Sequence, residues 1–154
     1  MIKVRTATAQ TATRIFSRTA GAALALIAIT ACGNKQKSAM TICQELTALG
    51  LAAECRDTST ACKYARERVT FDLPGTQKVG GQVMRFNDDA QYNAMLKIAK
   101  LAKDRVAEAP TALTLVQFVS TAPEDAAARA QGILAALPPA PRGKDAPPPD
   151  PNCK

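Results

Sequence analysis

The chain has 154 residues, with 20 lysines and arginines against 13 acids, a formal net charge of +7, and neither histidine nor tryptophan. Without histidine, His-based catalytic triads, His-ligated metals and the commonest general base are all excluded. Four of the basic residues, Lys3, Arg5, Arg14 and Arg18, fall within residues 1–31, and no acid precedes Glu45; the remaining sixteen against thirteen acids leave +3, with no dense basic run to hold nucleic acid.

The N-terminal stretch has the three parts of an export signal: basic residues without acids, a short apolar run from Gly21 to Ile29, and small residues before Cys32. That run is too short to span a bilayer, which takes about 20 residues. A mitochondrial transit peptide shares the Arg, Thr and Ser content, but the segment Ile29-Thr30-Ala31-Cys32-Gly33 resembles the lipobox of bacterial lipoproteins, with Ile29 in place of the usual leucine. The resemblance covers residues 1–33 only. It implies that the chain is cut after Ala31, that the Cys32 thiol carries diacylglycerol, and that the new amine is acylated. In such proteins an aspartate after the lipidated cysteine retains the chain at the inner membrane. Position 33 is glycine, so the resemblance implies the outer membrane, facing the periplasm. Two or three acyl chains at one residue make a stable anchor where one alone does not.

Residues 32–154 suffice for one small domain. Asn34 to Ala39 reads as a polar tether, so the expected divisions are a signal over 1–31, a lipidated tether over 32–39, a domain over 40–137 and a tail over 138–154. Four cysteines follow Cys32, namely Cys43, Cys55, Cys62 and Cys153. An even set in an exported chain favours disulfides, and the absence of Cys-x-x-Cys speaks against a redox centre or a zinc site.

Thr41-Ile42-Cys43-Gln44 has capping-box chemistry, so a first helix is expected from Thr41 to about Leu49, ended by Gly50. Leu51 to Arg56 alternates and reads as a first strand. With helix rise about 1.5 Å and strand rise about 3.3 Å per residue, Cys43 and Cys55 reach similar heights on either side of Gly50, which favours their pairing. Tyr64 to Leu73 is the clearest strand, with Ala65, Val69, Phe71 and Leu73 on one face and Arg66, Arg68, Thr70 and Asp72 on the other; Glu67 interrupts the apolar face. Pro74 to Gln77 has turn chemistry, and Val79 to Phe86 returns as a third strand with Gly80-Gly81 as a bulge.

Asp88 caps a second helix whose apolar face is expected to carry Tyr92, Met95, Ile98, Ala99, Ala102 and Val106, ending at Ala109-Pro110. Lys97 and Lys100 lie on the opposite side, facing solvent or an anionic lipid surface. Ala112 to Ser120 is apolar on both faces, as in a strand inside a sheet, and Thr121 to Glu124 forms the cap of a third helix running to Leu137. Pro138 to Lys154 holds seven of the ten prolines and reads as a disordered tail, with Cys153 either free or bridged to Cys62.

The expected fold class is α+β: a two-layer domain with one mixed, mostly antiparallel four-stranded sheet and three helices in the order αβββαβα. No catalytic residue, metal site or cofactor motif emerges. The reading is a lipid-anchored envelope protein with a non-catalytic binding or structural role, its partners being membrane lipid through Cys32 and an envelope protein or small ligand. The alternative is a hydrolase working through carboxylates, for which Glu67, Asp72, Asp88 and Asp89 are the clustered acids.

Overall fold

Alternation along two adjacent strands sends Val69, Phe71 and Val83 to one side of a sheet and Arg68, Thr70 and Met84 to the other. The computed structural model describes residues 36–59 and 65–145, all within the unit Cys32–Lys154. The signal segment, the lipobox with Cys32, Cys62, Tyr64 and Cys153 lie outside the described residues. The elements are α1 (Ala39–Ala48), β1 (Ala53–Asp57), β2 (Glu67–Asp72), β3 (Val79–Arg85), α2 (Asp89–Leu101), β4 (Arg105–Ala109), β5 (Thr114–Phe118) and α3 (Ala126–Ala135). One five-stranded sheet has the order β1-β2-β3-β5-β4, every neighbouring pair antiparallel. α1 lies over β1 to β3 and α3 over β4 and β5 on one face, whereas α2 covers only β4 and β5 on the other.

The class is α+β with three helices, but the sheet has five strands where four were expected, no neighbouring parallel pair, and helices on both faces. The additional strand is β4, which periodicity had assigned to the end of the second helix. α2 stops at Leu101 because Lys103 adopts φ +58°, the Asp104 amide bonds to the Ala99 carbonyl at 3.1 Å and the Lys103 amide to that of Lys100 at 3.2 Å. This is a Schellman termination with lysine where glycine is usual. A hairpin through Pro110 to Leu113 then returns the chain, with Leu113 also left-handed at φ +50°. β5 fills the position between β3 and β4, so the connection through α2 passes over it.

The helix ends also differ at their starts. α1 is capped by Ser38, not Thr41: the Ser38 hydroxyl accepts from the Thr41 amide at 3.1 Å. α3 begins at Ala126, after the expected Thr121 cap, and Asp125 makes no side-chain capping bond. Gly50 does end α1, at φ +68°, and Asp88 does cap α2, accepting from the Gln91 amide at 2.8 Å.

The larger core joins Ile42 and Leu46 of α1 and Ala126, Ala130 and Leu134 of α3 to Val69, Phe71, Val83, Val116 and Phe118. Phe71 and Phe118 meet edge to face at 5.4 Å between centroids. Their contact requires Gly81, because a Cβ there would press on the Gln117 carbonyl and lie 2.6 Å from Phe71 Cζ. Gly80 is the bulge residue, since Phe71 pairs with Gly81 while Asp72 pairs with Val79. Cys43, on the buried face of α1, is disulfide-bonded to Cys55 with a Cα separation of 6.1 Å. Such a short-loop bridge stabilises a domain by roughly 2–4 kcal/mol.

The smaller core, on the α2 side, contains Ala65, Met84, Phe86, Tyr92, Leu113 and Leu115. Phe86 and Tyr92 are edge to face at 5.7 Å. The Tyr92 hydroxyl has no hydrogen-bond partner among the described residues, and burial pushes its pKa up to about 12. α2 is rotated relative to expectation: Tyr92 and Ala99 are buried and Leu96 packs inward, while Ile98 and Ala102 face out.

The two ends of the domain also depart from the sequence reading. Gln36 to Ser38 belong to the fold, with Lys37 paired to Glu45 at 2.5 Å. Residues 138–145 are docked instead of disordered: the Ala140 amide donates to the Thr111 carbonyl at 2.8 Å, Gln36 Nε2 to the Pro139 carbonyl at 2.9 Å, and Arg142 grips Asp89 at 3.0 Å and the Pro110 carbonyl at 3.0 Å. Prolines here leave carbonyl acceptors that the domain uses.

Two outcomes are expected. Gly81→Ala should lower the unfolding free energy by about 2–3 kcal/mol in urea titration, through overpacking between Phe71 and β5. Truncation after Leu137 should lower it by roughly 1–3 kcal/mol, since several hydrogen bonds of about 1 kcal/mol each are lost; an unchanged midpoint would show that the docked segment contributes nothing.

Candidate functional site

Because α2 spans only β4 and β5, the side of β1 to β3 opposite α1 has no helix packed on it among the described residues. Register places Arg56 beside Thr70, and then Gln82 and Gln117, in one row across β1, β2, β3 and β5. Side chains in that region form a directed hydrogen-bond chain. Arg68 Nε donates to Gln82 Oε1 at 2.7 Å, Gln82 Nε2 to Gln117 Oε1 at 2.5 Å, and Gln117 Nε2 to Asp104 Oδ2 at 2.6 Å. The arginine at one end and the carboxylate at the other fix the orientation of both amides, so the row is ordered before any ligand arrives.

Next to this row is a hollow of about 160 Å³ floored by Gly81 and bounded by Arg68, Thr70, Gln82 and Gln117, with Val79 and Val119 on its apolar side. A second depression of about 410 Å³ continues past the same two valines towards Leu73, Thr76, Lys78 and Thr121. Val79 is 55 % exposed at their junction. The two together make a shallow groove, apolar in the middle and polar along both rims. The bulge at Gly80 shapes it, and the Val119 amide bonds to the Gly80 carbonyl at 3.0 Å, holding the end of β5 beside β3.

The four acids of the hydrolase reading each have a structural partner. Asp72 is 4 % exposed and receives both Nη atoms of Arg56, one at 3.0 Å. The Arg56 hydrogen bonds hold its carboxyl below the usual carboxylate range, against the opposing effect of burial. Glu67 accepts from Arg85 at 2.7 Å and from the Ala39 amide at the start of α1, also at 2.7 Å. Asp88 caps α2, and Asp89 pairs with Arg142. Arg85 is buried, and desolvation pulls its guanidinium pKa down while Glu67 offsets part of that. Among the described residues no group of three or more Cys, Asp or Glu is placed to hold a metal ion, and no helix is long and apolar enough to cross a membrane.

Sequence reasoning placed Arg68 and Thr70 on the polar side of β2 but missed Gln82, Gln117, Asp104, Val79 and Val119. Its available signal was a single glutamine inside each of two apolar strands, Val79–Arg85 and Thr114–Phe118. Compared with protein-family models, curated proteins and solved structures, the chain matches none.

The Arg56–Asp72 pair makes stability pH-dependent in a defined direction. A depressed folded-state pKa means the unfolded chain takes up the proton first as pH falls. The stabilisation is therefore complete above about pH 4, the ordinary aspartate value, and is lost as pH falls through the lower folded value. Asp72→Asn should flatten the acid limb of stability measured between neutral pH and the onset of acid unfolding. An unchanged limb would assign the acid sensitivity elsewhere.

Proposed function

We propose that this chain is a lipid-anchored, non-catalytic binding protein of the bacterial cell envelope, held at the outer membrane through acylated Cys32 and facing the periplasm. The observation that carries the reading is the segment Ile29-Thr30-Ala31-Cys32 behind a short apolar run and a basic flank. The Cys43–Cys55 disulfide suits an oxidising compartment outside the cytoplasm. The groove beside the Arg68–Gln82–Gln117–Asp104 row supports a binding role, because it presents oriented amide donors and acceptors around an apolar floor without a reactive group among them. Such a surface takes an extended segment of an envelope protein or a small polar ligand. The carboxylates that a hydrolase would need are each committed to an arginine or a helix start.

The test is processing in a bacterial host. Cys32→Ser should leave the precursor uncut by the lipoprotein peptidase and unlabelled by radioactive palmitate, whereas the unaltered chain is cut and labelled. Normal cleavage with normal labelling of the variant would end the anchoring proposal.

A further inference from the structure

The outward side of α2 combines large apolar side chains with lysines. Leu101 is 75 % exposed and Ile98 54 % exposed, two of the four exposed large hydrophobics among the described residues, and both lie on this one helix. Lys97 and Lys100 flank a hollow of about 370 Å³ whose other walls are Asn93, Leu96 and Leu101. Lys103 follows one turn on, at the helix end. Between Ala90 and Lys103 there is no acid. Lys100 Nζ reaches Glu108 at 2.9 Å, and Lys97 and Lys103 have no carboxylate partner among the described residues.

A second constraint comes from the length of the chain ahead of the fold. Gln36 is already fixed, donating to the Pro139 carbonyl and accepting from Arg85. Only Gly33, Asn34 and Lys35 separate it from Cys32. Four steps of extended chain span at most about 14 Å, so a lipid at Cys32 would hold the domain against the headgroups. Arg85 ends β3, and α2 begins four residues later, with Arg142 of the docked C-terminal segment on its first residue, Asp89. α2 is about 20 Å long at 1.5 Å per residue, comparable with the reach of the tether.

We propose that α2 is the membrane-facing surface of the domain, lying on an anionic bilayer with Ile98 and Leu101 in the headgroup–acyl boundary and Lys97, Lys100 and Lys103 against lipid phosphates. The proposal rests on the lipid anchor of the preceding section. Lysine stems cover apolar surface while their ammonium groups stay at the phosphate level. A second copy of the chain is the poorer occupant, because facing helices would bring lysine against lysine.

The test uses the full processed chain reconstituted in vesicles of phosphatidylcholine alone or with phosphatidylglycerol, and reads backbone hydrogen exchange over residues 93–103. Exchange should slow only with phosphatidylglycerol, and the slowing should disappear in Lys97→Glu/Leu101→Glu, both exposed positions, while exchange in β3 and β5 stays unchanged. Lys97→Ala alone should weaken the anionic-vesicle effect roughly fivefold, the contribution of one lysine near such a surface. Equal exchange on both lipids, or slowing that depends on protein concentration without vesicles, would overturn the proposal. A failure of the anchor is separately visible: intact mass would lack diacylglycerol and the protein would wash off neutral vesicles, while exchange over α2 with excess anionic vesicles would still be readable.

Discussion

Glu67 is the residue on which both ends of the domain converge. Its carboxylate takes Arg85 with one oxygen and the first amide of α1 with the other. Arg85, 7 % exposed, also donates to Gln36, whose amide nitrogen donates in turn to the Pro139 carbonyl. One ion pair, its arginine buried and its glutamate part-exposed, therefore ties together the entry of the chain, the start of α1, the ends of β2 and β3, and the C-terminal segment. Removing Glu67 would leave the Arg85 charge in the interior without its partner, which is costly in a way that the loss of an exposed pair is not. The carboxylate additionally faces the positive end of the helix, where a negative charge is favoured. A glutamate that interrupts an apolar strand face is thus the point that sets how α1 sits on the sheet.

From that point the layers follow. α1 and α3 together bury one entire face of the sheet, through Ile42, Leu46, Ala130 and Leu134 against the valines and phenylalanines of the strands. On the other face a single helix has to suffice, and it covers two of five strands. What remains is made tolerable in water by Arg56, Arg68, Thr70, Gln82 and Gln117, each hydrogen-bonded or half-exposed. The asymmetry of helix cover is the physical origin of the groove.

The sheet edges are closed by different means. At β4 the Gln131 side chain of α3 acts as a substitute strand, accepting from the Glu108 amide at 3.0 Å and donating to its carbonyl at 2.8 Å. At β1 the register shifts between Ala53 and Arg56, with Glu54 left-handed at φ +47°, so the edge is irregular. Both devices discourage pairing with another chain through the backbone.

The sequence by itself determined the helix count, β2, β3 and the strand now numbered β5, the Cys43–Cys55 proximity, the stop at Gly50 and the cap at Asp88. These features rest on local chemistry: alternation, a glycine at a left-handed position, an oxygen within reach of an amide three residues on. Only the tertiary structure decided the stop at Lys103, the turn at Leu113 and hence β4. There the chain takes left-handed positions without glycine, held by packing of Leu113 in the smaller core and by the bonds back into α2. The same holds for the caps of α1 and α3, the docking of residues 138–145 and the role of Glu67. The groove was half legible, since Arg68 and Thr70 follow from alternation. Its remaining members come from strands far apart in sequence, and which face stays uncovered depends on where one helix ends.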